Sequence, residues 1–261
     1  MHVKEMFDLS DKVAIVTGGG RGIGKFIAAG LAEAGANLVI GSRKLEACQQ
    51  TAQELEALGV KALALKLDMT SQDDILHLVE AALQEFATVD ILVNNAGITW
   101  GAPTLDYPLE KWEKIFDVNV NGVWILTQRV ANLMKERGGG KIINVSSVFG
   151  ARGSSEEGHP AVAYNASKAA LNVLTMNLAV KLARYHIYVN AIMPGFFRTH
   201  MMEYIFKPGM EPMLQALLRE IPLGRVAGED DIKALAVFLA SKASDYVTGA
   251  VIPVDGGFLA K

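Results

Sequence analysis

The chain has one cysteine, Cys48, in 261 residues, so it can form no internal disulfide and gains no staple from an oxidising compartment. Cys48 falls in a helical pattern and reads as a small apolar filler rather than a reactive thiol. No uninterrupted apolar run nears the ~18 residues of a membrane span. The stretch Met1 to Lys12 is mixed and charged, without the apolar core of a signal peptide. Charge of one sign is lacking too: 25 Lys and Arg against 28 Asp and Glu leave a net −3. There is no basic stripe for nucleic acid and no like-charge run for a tail. A cytoplasmic protein is expected, with no membrane partner, no nucleic-acid partner and no metal site. No linker or repeat divides the chain, and residues 1–261 read as a single domain.

What is present is apolar material in a regular order. The chain is 51% hydrophobic and 20% charged, enough for a sizeable core. The apolar run Val13 to Val16 ends in Thr17-Gly18-Gly19-Gly20-Arg21-Gly22-Ile23-Gly24. Phe26, Ile27, Ala29 and Leu31 follow at helical spacing, and Leu38 to Ile40 is the next apolar run. Strand, glycine loop, helix and strand within about 30 residues make a βαβ unit. Such a loop lets backbone approach a pyrophosphate, and the helix N-terminus behind it presents free N–H groups and a positive dipole end.

The alternation goes on. Helices are expected over 46–58, 74–86, 109–137, 164–184 and 229–241. The helix over 109–137 is interrupted at Asn119-Val120-Asn121-Gly122. Strands are expected over 61–67, 91–93, 141–145, 187–193 and 250–254. That pattern predicts an α/β fold of Rossmann type, a doubly wound parallel sheet with helices on both faces. Gly18, Asp68, Asn95, Ser147 and Pro194-Gly195 then all fall at carboxyl ends of strands. In an open α/β sheet those ends form one ligand crevice. Tyr164 and Lys168 open a helix four residues apart, hence on one face. A phenol beside an ammonium is a plausible proton donor, and the cation is expected to lower the phenol pKa.

Jointly, these stretches and Asn94-Asn95-Ala96-Gly97, Asn119, Ser146-Ser147 and Thr199 resemble the short-chain dehydrogenase/reductase family. The resemblance runs from about Leu9 to Leu259, in the subgroup of 3-oxoacyl carrier-protein reductases and gluconate 5-dehydrogenases. It implies a nicotinamide cofactor and a catalytic set of Asn119, Ser147, Tyr164 and Lys168. Lys168 would also bind the nicotinamide ribose, and Asn119 would hold a water in a proton path to Lys168. Read without the family, Asn119 is equally a helix kink. The cofactor set implied is Gly18, Arg21, Gly22, Ile23, Gly24, Ser42, Arg43, Lys44, Asp68, Asn95, Ala96, Gly97, Tyr164, Lys168, Pro194, Gly195 and Thr199. NAD-preferring members end the second strand in a carboxylate. Here Ser42 stands there, followed by Arg43 and Lys44, with Arg21 in the loop, so NADP(H) is expected. Similar proteins are commonly homotetramers, built through paired long helices and the C-terminal strand region.

One departure is visible. Ser147 and Tyr164 lie farther apart than in the family's commonest form, with the surplus within Ser154 to Pro160. A substrate lid is expected around residues 199–225, where methionines, Tyr204, Ile205 and Phe206 offer an adaptable apolar surface, either mobile or packed on the core. Trp100, Phe149, Phe196 and Phe197 favour reduction of a small-molecule ketone, a 3-oxoacyl thioester, over a keto-sugar acid. Arg152, His159, Arg198 and His200 could bind a carboxylate or the phosphates of a pantetheine arm, so charge leaves both open. A dinucleotide-binding sensor without turnover is the remote alternative.

Overall fold

The computed structural model describes residues 1–261, apart from the side chain of Met201. Elements run in chain order as α1 (Val3–Met6), β1 (Val13–Thr17), α2 (Gly22–Glu33), β2 (Asn37–Ser42), α3 (Leu45–Glu56), β3 (Ala62–Lys66), α4 (Gln72–Phe86), β4 (Ile91–Asn94), α5 (Leu109–Phe116), α6 (Gly122–Arg137), β5 (Gly140–Val145), α7 (Val162–Leu182), β6 (Ile187–Pro194), α8 (Glu211–Glu220), α9 (Asp230–Ala240) and β7 (Val251–Val254). The seven strands form one parallel sheet in the order β3-β2-β1-β4-β5-β6-β7. This is the doubly wound α/β arrangement the alternation predicts, of Rossmann type. The central strands β1, β4 and β5 are buried along nearly their whole length because both faces are covered.

Each face has its own core. On one, Ile27 and Leu31 of α2, Leu55 of α3 and Leu239 of α9 pack on Val16, Ile40 and Val93. On the other, Leu78 of α4, Leu126 of α6 and Leu171 of α7 pack on Ile15, Leu92 and Val189. A buried polar ladder crosses the middle. Asn94 donates to Thr127 and to Asn144, each at 2.9 Å, and Asn144 donates to Thr175 at 2.9 Å. These bonds tie β4 to β5, although the Asn94 Oδ1 is left buried without a partner.

The chain winds outward from β1 to β3, then crosses back to lay β4 on the other side of β1. The order reverses between β1 and β4, and their carboxyl ends open the crevice there. The expected helix over 109–137 is two helices. Asp117–Asn121 between them is a π turn, and Gly122 restarts the α-helix. Gly122 has no alternative, since a Cβ there would overlap the Met69 carbonyl. Other boundaries shift by a residue or two. For example, Ser71 caps α4 by accepting from the Asp74 N–H, so the helix starts earlier than its apolar pattern does.

Candidate active site

The glycine loop turns tightly out of β1. Gly18 and Gly22 sit at φ +67° and +56°, backbone that favours glycine. A side chain at Gly24 would collide with the Gly18 carbonyl and the Asn95 amide, and one at Gly22 would press on Thr199 at 3.3 Å. The loop is therefore held open to a close-approaching ligand. Arg21, the N-cap of α2, supplies no side-chain hydrogen bond, so the N–H groups of that first turn, including Ile23, remain available to an anion.

Asn95, Ala96 and Gly97 form the opposite lip. The Asn95 side chain donates to the Thr17 carbonyl at 2.8 Å, and the N–H groups of Asn95 and Ala96 donate to the Thr17 hydroxyl at 3.0 and 2.9 Å. Asn95 thus fastens β4 to the glycine loop with its own amide. Gly97 leaves bare a space whose nearest neighbours would be the Asn119 Oδ1 and Lys168 Nζ, each 3.4 Å from a Cβ placed there. Pro194 ends β6, and Gly195 packs against Asp255 so closely that a Cβ would meet its Cα at 2.8 Å. Thr199 follows as the N-cap of a 3₁₀ turn, His200–Phe206.

At the far end of the crevice Ser42 closes β2, with its hydroxyl donating to the Lys44 carbonyl at 3.1 Å. Arg21, Arg43 and Lys44 are exposed. Asp68 lies beyond β3 and accepts from the Thr70 N–H and hydroxyl at 2.9 and 2.8 Å. The Thr70 backbone bond, with the Arg43 and Lys114 charges adding to it, holds the Asp68 carboxyl below the usual carboxylate range. Cations and a carboxylate therefore share one rim.

The proton-handling candidates converge below Gly97. Asn119 is fully buried in the π turn, and its amide is wholly engaged. It accepts from the Ile98 N–H at 2.9 Å and donates to the Ile98 carbonyl at 2.9 Å and the Ser167 hydroxyl at 3.0 Å. The interruption visible in the sequence is thus a built π turn, a feature frequent at functional sites. Lys168 is buried at 4% exposure, and its ammonium donates to the Val145 carbonyl at 2.8 Å, 5.7 Å from the centre of the Tyr164 ring. Burial pushes the Lys168 pKa down to about 8. Ser147 begins a short turn at the end of β5, its hydroxyl accepting from the Phe149 N–H at 3.2 Å.

Here the structure corrects one expectation. Burial pushes the Tyr164 phenol pKa up, and the Ser147 side chain beside it opposes that in part. One-turn spacing places the two side chains on one face, but burial decides the direction of the shift. The ammonium here is turned to Val145.

Next to Tyr164 stands an aromatic wall. Phe149 meets Phe196 edge-on at 6.0 Å and Phe258 at 6.2 Å, and Phe196 meets Phe258 at 5.1 Å. His159 stacks on Phe149 at 4.1 Å and points an edge at the Tyr164 ring at 5.7 Å. Phe197, expected in the pocket, is instead buried in the core. Neighbours in an extended segment face opposite ways, and Phe197 lies in a bridge to Ala227. Trp100 is half exposed at the rim, with the Lys111 ammonium over its ring. Phe258 was not singled out from the sequence, and its contacts lie too far along the chain for local pattern to show. The Asn94–Asn144 ladder did leave a signal: an asparagine in each of two otherwise apolar strands.

Within residues 199–225, Ile205 and Ile221 are buried, and no residue between them is fully buried. Helix α8 buries nothing, and Gly209 precedes it at φ +88°.

The family model described as enoyl-(acyl carrier protein) reductase matches residues 18–259. A rhamnolipids biosynthesis 3-oxoacyl-acyl-carrier-protein reductase of Pseudomonas aeruginosa is 42% identical over 97% of this chain and 98% of its own. A gluconate 5-dehydrogenase of Gluconobacter oxydans is 38% identical over 98% of each. Among solved structures, a Pseudomonas aeruginosa NADP active-site complex superposes with a TM-score of 0.90 at 41% identity, covering 99% of each chain. Likeness at that level extends from the glycine loop to the last strand and its tail, and the chain belongs to the short-chain dehydrogenase/reductase family.

Proposed function

We propose that the chain is an NADP(H)-dependent reductase that converts a ketone to a secondary alcohol, with a 3-oxoacyl thioester as substrate. One domain carries the reaction, with residues 199–225 as its lid. The glycine loop and Thr199 would hold the pyrophosphate, Asp68 the adenine end and Gly97 the nicotinamide side. Arg21, Arg43 and Lys44, with Ser42 in place of a carboxylate, suit a 2′-phosphate. Reduced nicotinamide, when bound, supplies the hydride. Tyr164 donates the proton to the developing alkoxide, and Ser147 hydrogen-bonds the same oxygen. A phenol held protonated by burial is ready to donate. Lys168, with its pKa lowered to about 8, can pass a proton near neutral pH along a path toward Asn119.

The observation that carries the substrate assignment is the cluster of Phe149, Phe196 and Phe258, joined to Tyr164 through His159, as a lining for an acyl chain. Three of the four side chains considered for a carboxylate have contacts of their own, and the fourth, His159, has an unpartnered Nε2. Arg152 lies over the Phe258 ring, Arg198 over Phe206, and His200 pairs with Glu203 at 2.8 Å. The test is kcat/KM with NADPH for acetoacetyl and longer 3-oxoacyl thioesters against 5-ketogluconate. Preference for thioesters supports the reading. Saturable activity on 5-ketogluconate at ~10⁴ M⁻¹s⁻¹, with none on thioesters, would make it a keto-sugar-acid reductase.

The enzyme works in the cytoplasm as a homotetramer in this reading. Val173, Met176 and Val180 form an exposed apolar stripe on α7, and Trp124 on α6 is half exposed. Among the described residues no helix is long and apolar enough to cross a membrane. A monomer by light scattering at micromolar concentration would contradict the assembly.

A further inference from the structure

The loop from Ser154 to Pro160 is tied down at several points. The Glu156 carboxylate accepts from both the N–H and the hydroxyl of Thr104, each at 2.7 Å. The Ala102 N–H donates to the Pro160 carbonyl at 2.9 Å. On the other side, the Ser154 hydroxyl donates to the His159 carbonyl at 2.9 Å and accepts from the Asn165 amide at 3.0 Å. The extra residues therefore form a wall that joins the 101–106 loop to the first turn of α7.

That wall fixes one side chain. The His159 ring lies flat on Phe149, with 9° between the planes, and directs an edge at the Tyr164 ring. Its Nε2 is shielded from solvent and has no hydrogen-bond partner. A buried polar nitrogen without a partner carries its full desolvation cost, so its position needs an explanation. The nitrogen belongs to a ring 5.7 Å from that of the candidate proton donor, close enough for a second group of a molecule reacting at Tyr164 to reach it.

We propose that His159 is a specificity-determining residue whose Nε2 hydrogen-bonds a neutral second oxygen of the substrate, such as the thioester carbonyl two carbons from the reacting ketone. The inference rests on the reading of Tyr164 as proton donor to a ketone. Burial lowers the His159 pKa, and a neutral imidazole offers a carbonyl or hydroxyl a hydrogen bond but offers a carboxylate no charge. The Phe149 face sets the plane in which that bond is made. Admission of the oxygen needs the ring to slide on Phe149 or the 154–160 loop to lift.

The test compares two small probes of similar length, ethyl acetoacetate and 2-hexanone, with NADPH in excess. Wild type should prefer the oxo-ester by about tenfold or more in kcat/KM, the effect of one net hydrogen bond. His159→Leu should lose about that tenfold on the oxo-ester, mostly in KM, and change less than about twofold on 2-hexanone. His159→Gln, which keeps a donor and an acceptor, should recover part of the loss. Equal losses on both probes, or no preference in wild type, overturn the proposal. Calorimetric binding of ethyl 3-hydroxybutyrate against 2-hexanol gives the same comparison without turnover. A His159-dependent binding preference without any reduction would refute the reaction assigned to Tyr164 and leave His159 standing. Equal binding of both alcohols would overturn His159 alone.

Discussion

Replacing Lys168 by methionine should change how stability depends on pH. The lysine is buried, donates to Val145 and has its pKa lowered by burial to about 8, against an ordinary 10.5. The unfolded chain therefore holds this proton more tightly than the folded one. Below the folded value the ammonium is charged in both states, and the folded state carries the full penalty of burying it. As pH rises from about 8 toward 10.5 the folded lysine sheds its proton first and the penalty fades, so stability from this group rises with pH. Between about pH 7 and about pH 9.5 the gain is on the order of 2 kcal/mol. Lys168→Met removes the titration while keeping much of the length. The assay is urea unfolding of both proteins at the two pH values, read as the difference between their unfolding free energies. That difference should move by about 2 kcal/mol in favour of the wild type at the higher pH. A pH-independent difference, or one that moves the other way, would show that Lys168 titrates as an exposed lysine does.

Cofactor choice and lid motion are open to direct tests. Arg43→Ala should weaken NADPH by about 1–3 kcal/mol, the range for a charge-assisted hydrogen bond, and leave NADH nearly unchanged. Tighter binding of NADH than NADPH by the unaltered protein would refute the assignment. The segment between Ile205 and Ile221 should exchange its amide hydrogens faster than α7 does, because nothing between those two residues is fully buried. Protection of α8 equal to that of α7 would mean the lid is fixed.

The parts of this site legible in the sequence are those made by local chain. The glycine loop, the lip at Asn95 to Gly97 and Ser147 each follow a short apolar strand, so the strand pattern alone brings them to one edge. The break at Asn119 to Gly122 is visible in the sequence as a break, but not its π geometry or the packing of Gly122 on Met69, a contact across the fold. The Tyr164 pKa lies above its ordinary value, not below it, because burial raises it, and residue spacing shows neither that burial nor which way the Lys168 ammonium turns. The aromatic wall joins Phe149, Phe196 and Phe258 from three distant segments, so no window along the chain contains it.

The central claim is that a buried, protonated Tyr164 delivers the proton to a ketone. Tyr164→Phe removes one oxygen and leaves the ring that His159 faces. The measurement is NADPH-dependent turnover of an accepted ketone by this variant, alongside NADPH binding by fluorescence. Turnover should fall by ~10² or more with cofactor affinity kept. Near-normal turnover with unchanged binding would contradict the account.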